Sequence, residues 1–323
     1  MNIKKQGRIK RIFKIIALIV IGLAVSGFIF EQIAEQIDRS TLHAPGQLVT
    51  VGDHLMHIYC TGENKNNSPT VILEAGGGSF WTEWSKVQPE ISKLTKVCSY
   101  DRSGSGFSGV AHDKRSNIEV VQELEKLLEN SNIKGPYILA GHSIGGFYIR
   151  VFASRHLSDI KGLVFIDSSH EDQEKVAKLT FFDKAYDTVL WNVYRAAFNL
   201  GVARILITVS PEAYGIAKED LPYSRALILS QSFDQATDAI ESAINSSEQV
   251  KAARNFGNIP IRVLTADESL ASIYGPIILG FQKDIAGLST DGEQKTVPHT
   301  SHMIPVDQPQ AVIDTISTLL NQK

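Results

Sequence analysis

The run YILAGHSIGG, residues 137–146, decides how this chain is read. Tyr137 to Ala140 is a short apolar stretch of the kind that forms a buried strand, and Ile144 to Ser154 reads as a helix. Between them Gly141-His142-Ser143-Ile144-Gly145 fits the pattern G-x-S-x-G, in which a strand passes into a helix through a sharp turn that holds the serine in a strained conformation. Side chains two residues to either side have no room in such a turn, hence the glycines. Ser143 then projects its hydroxyl at a helix N-terminus, where unpaired N–H groups can stabilise a developing oxyanion. Five residues alone are a weak signal; the strand before and the helix after set Ser143 apart from a structural turn serine.

Outward from this point, strands and helices alternate. Gln47 to Val51 and His54 to Cys60 are strand-like runs split by Gly52-Asp53, a hairpin signal. Thr70 to Leu73 and Lys96 to Tyr100 are apolar and rich in β-branched residues, with a helix expected from Trp84 to Leu94 between them. Ser116 and Glu119 form a capping box, after which Ile118, Val121, Leu124 and Leu128 recur at helical spacing as far as Asn130. Ile160 to Ile166 is a further strand. Ile261 to Thr265, Pro276 to Leu288, Glu293 to Val297 and Pro309 to Asn321 repeat the alternation, the last opening with proline in its first turn. The pattern predicts an α/β fold, a mostly parallel sheet covered by helices on both faces. It breaks between Asp167 and Ile259, about ninety residues of amphipathic helical character with Trp191, Tyr194 and Phe198 on one stripe. The expected organisation is a core of residues 47–167 and 260–323 with a helical cap, 168–259, inserted into it; helices packed elsewhere on the core are the alternative.

The first thirty residues carry a different message. Lys4, Lys5, Arg8, Lys10, Arg11 and Lys14 all precede the first acidic residue, Glu31, and IIALIVIGLAVSGFIF (15–30) holds no charge. Counted from Ile12 the apolar run is 19 residues, and at about 1.5 Å per residue it roughly spans the hydrocarbon core of a bilayer. The basic flank predicts a cytoplasmic N-terminus with everything after residue 30 on the outer face, a single-pass signal anchor at the cell membrane. The alternative is secretion after cleavage of a signal peptide near Ala24-Val25-Ser26. Residues 31–46 read as a spacer, a polar helical turn closed by Pro45-Gly46.

The 323 residues are 43% hydrophobic and 21% charged, which excludes a disordered or fibrous chain. A formal charge of -3 offers no overall positive field for a polyanion, so nucleic acid is not an expected partner. The two cysteines, Cys60 and Cys98, follow the apolar run; an oxidising compartment would let them pair, and two small buried side chains is the other reading. No His or Cys cluster has zinc-ligand spacing, and no cofactor or metal is called for.

Four stretches together resemble the α/β-hydrolase superfamily: VILEAGGG (71–78), SYDRSGSGFS (99–108), the Ser143 elbow and SHMIPVDQP (301–309). More narrowly, the chain is similar to membrane-anchored bacterial members. The resemblance covers nearly everything from about Pro45 onward and implies an eight-stranded sheet, an elbow after the fifth strand and a cap after the sixth. It implies that His302, in a loop after the last strand, is the catalytic base, with His299 the nearest substitute and His142 in a packing role. The carboxylate is expected at Asp267, after the strand that follows the cap, with Asp167 the alternative and Glu268 and Asp172 behind them. A glycine usual in the superfamily is missing from LTADES (264–269). The N–H of Ile144 and, by resemblance, of Gly76 would form the oxyanion hole, although Glu74-Ala75 stands where a His-Gly pair is usual. The glycine-rich DRSGSG (101–106) lacks the lysine and spacing of a nucleotide fingerprint and is read as a structural turn, with Arg102 in an internal ion pair.

A hydroxyl that needs a base, an imidazole that needs a carboxylate and two amides for an oxyanion fit acyl transfer to water. The expected activity is hydrolysis of a carboxylic ester or related small acyl compound through an acyl-enzyme. The alternatives are an aminopeptidase or carbon-carbon bond hydrolase on the same scaffold, and a non-catalytic ligand-binding protein that keeps the elbow for structural reasons.

Overall fold

A computed structural model describes residues 3–64, 68–110, 115–173, 192–193, 195–210, 220–230 and 233–322. In chain order it contains helix α1 (Ile3–Thr41), strands β1 (Gln47–Val51), β2 (His54–Thr61) and β3 (Thr70–Glu74), and a short helix α2 (Gln88–Ile91). Strand β4 (Val97–Tyr100), helix α3 (Asn117–Asn130), strand β5 (Tyr137–His142), helix α4 (Gly145–Arg155) and strand β6 (Ile160–Ile166) follow. The segment after β6 holds α5 (Val202–Val209), α6 (Leu221–Ser230), α7 (Phe233–Asn245) and α8 (Ser247–Ala252), with no strand among its described residues. The chain returns through β7 (Ile261–Ala266), α9 (Asp267–Ala271), α10 (Gly275–Ala286), β8 (Gly292–Val297), α11 (Ile304–Asp307) and α12 (Pro309–Asn321). Trp191 and Tyr194 of the expected aromatic stripe lie outside the described residues. Phe198 packs on Ala203, Ile207 and Leu229.

The strands form one sheet in the order β1-β2-β4-β3-β5-β6-β7-β8. It is mixed: the β1–β2 hairpin and the β2–β4 pair are antiparallel, and the other five pairings are parallel. Because strand side chains alternate, each central strand feeds two cores. Ile72, Leu139, Leu163, Phe165 and Val263 pack on the α3, α4 and α8 side with Leu124, Phe147 and Val250. Val71, Leu73, Ile138, Val164, Ile166 and Leu264 pack on the opposite side with Ile91, Val312 and Ile316.

Two expectations change. The helix from Trp84 to Leu94 is reduced to a 3₁₀ turn, Trp81–Trp84, and the four residues of α2. Pro89 lacks the N–H that a helix running through from Trp84 would need for the Ser85 carbonyl, and it sits instead in the first turn of α2, where that N–H has no intrahelical partner. Residues 31–46, expected as a spacer with one helical turn, are helical further than that: α1 continues unbroken to Thr41 with Glu31 buried, and non-helical residues 42–46 then lead into β1. Cys60 and Cys98 face each other across β2 and β4 and are joined in a disulfide.

Candidate active site

The parallel register sets which residues meet at the strand ends. His142 of β5 pairs with Ile166 of β6, so the next residues, Ser143 and Asp167, stand level just beyond the sheet. Both leave it with left-handed backbone, φ 53° and 39°. The glycines around the serine are obligatory. A Cβ on Gly141 would lie 2.8 Å from the carbonyl oxygen of Gly145, and one on Gly145 would lie 2.7 Å from that of Glu74. A Cβ on Gly146 would strike the Ser168 hydroxyl at 2.5 Å.

Ile166 pairs with Leu264 of β7, so Asp267 projects two residues further out than Asp167. That offset separates the two candidate acids. The imidazole Nδ1 of His302 lies 2.7 Å from Asp167 Oδ2, which also accepts the Ser269 hydroxyl at 2.6 Å, while Asp167 Oδ1 accepts the Ala266 N–H at 3.0 Å. Burial alone would raise the Asp167 pKa; the hydrogen bonds from His302 and Ser269 outweigh it and hold the carboxylate below its usual range. Asp267, the acid expected first, accepts the backbone N–H groups of His299 and Thr300 at 2.7 and 3.0 Å and braces the base of the histidine loop. His299 itself has left-handed backbone in that loop. Glu268 donates its N–H to the Thr300 carbonyl, and Asp172 sits in a turn against His170.

His302 is half-exposed and lies beside the elbow, its ring 4.6 Å from that of His142. His142 is buried between two acceptors. Its Nε2 is 2.9 Å from the backbone oxygen of His302, and its Nδ1 is 2.7 Å from Glu83 Oε1, in an ion contact off the line of a good hydrogen bond. Burial opposes charge on both partners, but the attraction between them prevails: the His142 pKa is raised and that of Glu83 lowered. Both nitrogens thus face an acceptor, an arrangement that favours the doubly protonated ring. The sequence reading missed Glu83; its signal is a carboxylate set between two tryptophans in WTEW (81–84).

Glu83 also changes the reading of the oxyanion hole. Its Oε2 accepts the Gly76 N–H at 3.0 Å, so the amide expected to serve the oxyanion is already engaged. A Cβ on Gly76 would still lie 3.5 Å from that of Ser143, which puts the glycine loop at the elbow. Ile144 caps the N-terminus of α4, where the first amides of a helix lack intrahelical acceptors. The departure at Glu74 has a use: its buried carboxylate pairs with Arg102 and takes the Tyr100 hydroxyl, and Arg102 also donates to the carbonyls of Ala75 and Gly76 at 2.7 and 2.6 Å. The loop is thus pinned by an ion pair beneath it. Over it lie Ile240 of α7, against Gly77, and Leu227 of α6, packed with Phe80 and Trp81. No cluster of His, Cys, Asp or Glu among the described residues could hold a metal ion.

The model of the alpha/beta hydrolase fold family matches residues 69–207. An uncharacterized protein of Schizosaccharomyces pombe is 36% identical over 154 residues, 39% of this chain and 29% of that protein, so the chain spans less than a third of that relative's length. Among solved structures, an epoxide hydrolase from Vigna radiata superposes with a TM-score of 0.68 at 14% identity, over 85% of this chain and 97% of that one. An esterase from Thermogutta terrifontis does so with a TM-score of 0.56 at 18% identity, over 85% and 97%. Strand order, elbow and matched segment agree: the chain has the α/β-hydrolase fold.

Proposed function

We propose that this chain is a serine hydrolase that cleaves a carboxylic ester or related acyl compound through an acyl-enzyme. The observation that carries the reading is the His302–Asp167 hydrogen bond at the strand ends beside Ser143. Asp167 fixes the tautomer with the proton on Nδ1, and Nε2 takes the proton of the Ser143 hydroxyl as its oxygen attacks the carbonyl carbon. The Ile144 amide supplies one donor to the tetrahedral oxyanion; since Gly76 is engaged by Glu83, we assign the second to the next amide, Gly77. Collapse expels the alcohol with the proton from His302. Water, deprotonated by the same nitrogen, then attacks the acyl-serine and releases the acid.

The nucleophile's own chemistry favours acyl substrates over epoxides. A serine that opened an epoxide would be left as an alkyl ether, with no carbonyl for water to attack. The apolar side chains over the glycine loop, Leu227 and Ile240 with Phe80 and Trp81, suit an apolar acyl or alcohol group. The residues between β6 and β7 act in this reading as the cap of the site. Helix α1, whose Lys10–Asp38 stretch is long and apolar enough to cross a membrane, would tether the domain with the basic end in the cytoplasm.

A fluorophosphonate probe tests the chemistry. The folded wild-type protein is expected to be labelled at Ser143 and the Ser143→Ala variant not at all, with an acyl-ester panel hydrolysed faster than matching amides. Absence of labelling on folded protein would leave a ligand-binding member of the fold instead.

A further inference from the structure

Helix α5 is apolar on both sides. Ala203 and Ile207 are buried against Leu229 of α6. On the opposite side Val202, Ile205, Leu206 and Val209, at i, i+3, i+4 and i+7, are all exposed, Val209 by 74%. A row of this kind normally faces a core. Here it faces out next to α1: Arg204 donates to Glu31 at 2.8–3.1 Å and to Asp38 at 2.6 Å. The two segments touch closely, since a Cβ on Gly27 would lie 2.6 Å from the carbonyl oxygen of Leu200. Between the helices runs a groove of about 410 Å³ with Phe30, Ala34, Ile37, Ile205 and Val209 along its walls. Arg225 also lines it, its Nη2 3.8 Å from Asp38 Oδ1 and its Nε without an acceptor among the described residues.

Length decides what covers this surface. Counted from Ile12, with the Lys14 ammonium reaching back to the cytoplasmic surface, the apolar run makes about 28 Å of helix, close to the roughly 30 Å hydrocarbon core, so the crossing ends at Phe30 or within the turn that follows, Glu31 to Ala34. The one charge in that turn, Glu31, is 3% exposed beneath the Arg204 guanidinium, so the turn presents exposed Ile33 and the uncharged Gln32 at the membrane boundary. Leu200 reaches Gly27, three residues inside the apolar run, which brings the start of α5 to the level of the membrane boundary.

We infer that the outward row of α5 and its groove with α1 are seated in the lipid leaflet where α1 leaves the bilayer, acyl chains filling the groove and a lipid phosphate meeting Arg225. Arg204 is the clamp that holds α5 at that depth. The partner is the bilayer that α1 crosses, and the surface lies on the helical segment that covers the glycine loop. This inference concerns where the segment sits and stands apart from the chemistry at Ser143.

The test uses the full chain in phosphatidylcholine vesicles, with an environment-sensitive fluorophore on Ile205→Cys, Val209→Cys or, as a water-facing control on α12, Thr318→Cys. Labels at 205 and 209 are expected to be blue-shifted and quenched by doxyl-labelled phosphatidylcholine at least about twofold more than the label at 318. Quenching at 205 and 209 by aqueous iodide as strong as at 318 would overturn the inference. So would a blue shift without doxyl quenching that grows with protein density, which would make a second copy of the chain the occupant. A folded Val209→Asp variant provides a second reading: the label at 205 should lose at least half its doxyl quenching, and unchanged quenching would also count against the seat.

Discussion

At the scale of single residues, the two aspartates separate by where they stand on neighbouring strands. Asp167→Asn removes the charge that faces His302 and permits the wrong tautomer, so kcat should fall by about 10³–10⁴-fold while the fold persists. Asp267→Asn loosens the backbone of the 299–300 loop and should cost no more than about tenfold; comparable losses in a steady-state ester assay would remove the distinction. The buried His142–Glu83 pair adds a pH signature. Because the folded pKa of His142 is raised, its contribution to stability is complete below its unfolded value and is lost as pH climbs through the folded one. Glu83, lowered, contributes above its unfolded value and loses that contribution as pH falls through the folded one. The margin in Tm between wild type and Glu83→Gln should therefore peak between these limits and narrow on the alkaline side, as followed by thermal melts across a pH series. A flat margin would mean the pair is not charged. Ser143 is legible in the sequence as a candidate nucleophile from its local pattern, and His302 as a candidate base from its place after the last strand in the family resemblance. Which carboxylate meets His302 is not legible, since it depends on how β6 and β7 are staggered, and no stretch of either strand states that.

At the scale of elements, short apolar, β-branched runs located the strands and period-3.6 patterning the longer helices of the core; the central strands are buried on both faces, so their runs are continuous rather than alternating. Patterning failed where local apolarity and backbone chemistry disagreed, as around Pro89, and where a polar turn was read as the end of α1 although Glu31 and Asp38 have a distant partner in Arg204. The disulfide belongs to this scale too. Cys60 and Cys98, 38 residues apart in sequence, close a loop that contains all of β3, and the chain-entropy model gives that closure about 4 kcal/mol. Reduction, or replacement of both cysteines by serine, should lower Tm markedly without moving the Ser143 region; an unchanged melting temperature in the presence of reductant would show that the bond contributes nothing.

For the whole molecule, helix α6 links α5, which contacts α1, to the segment that follows the glycine loop: Leu227 packs on Phe80 and Trp81, and Leu229 on Ala203 and Ile207 of α5. Breaking the clamp should be felt along that route. Arg204→Ala strands Glu31 in a buried setting, a loss of about 3–5 kcal/mol if the contact were kept, so α5 is expected to release from α1 instead. Hydrogen exchange should accelerate in α5, α6 and residues 31–41 while β5 stays protected; uniform exchange across all of them would deny the linkage. Helix α1 runs without a break from its apolar stretch to its contact with α5, so in the proposed arrangement it would hold the Ser143 edge near one height above the bilayer. An enzyme held in that way would search in two dimensions. For any substrate dissolved in the same sheet of lipid, turnover would follow its mole fraction among the lipids, and diluting the vesicles in buffer would leave the rate per enzyme unchanged.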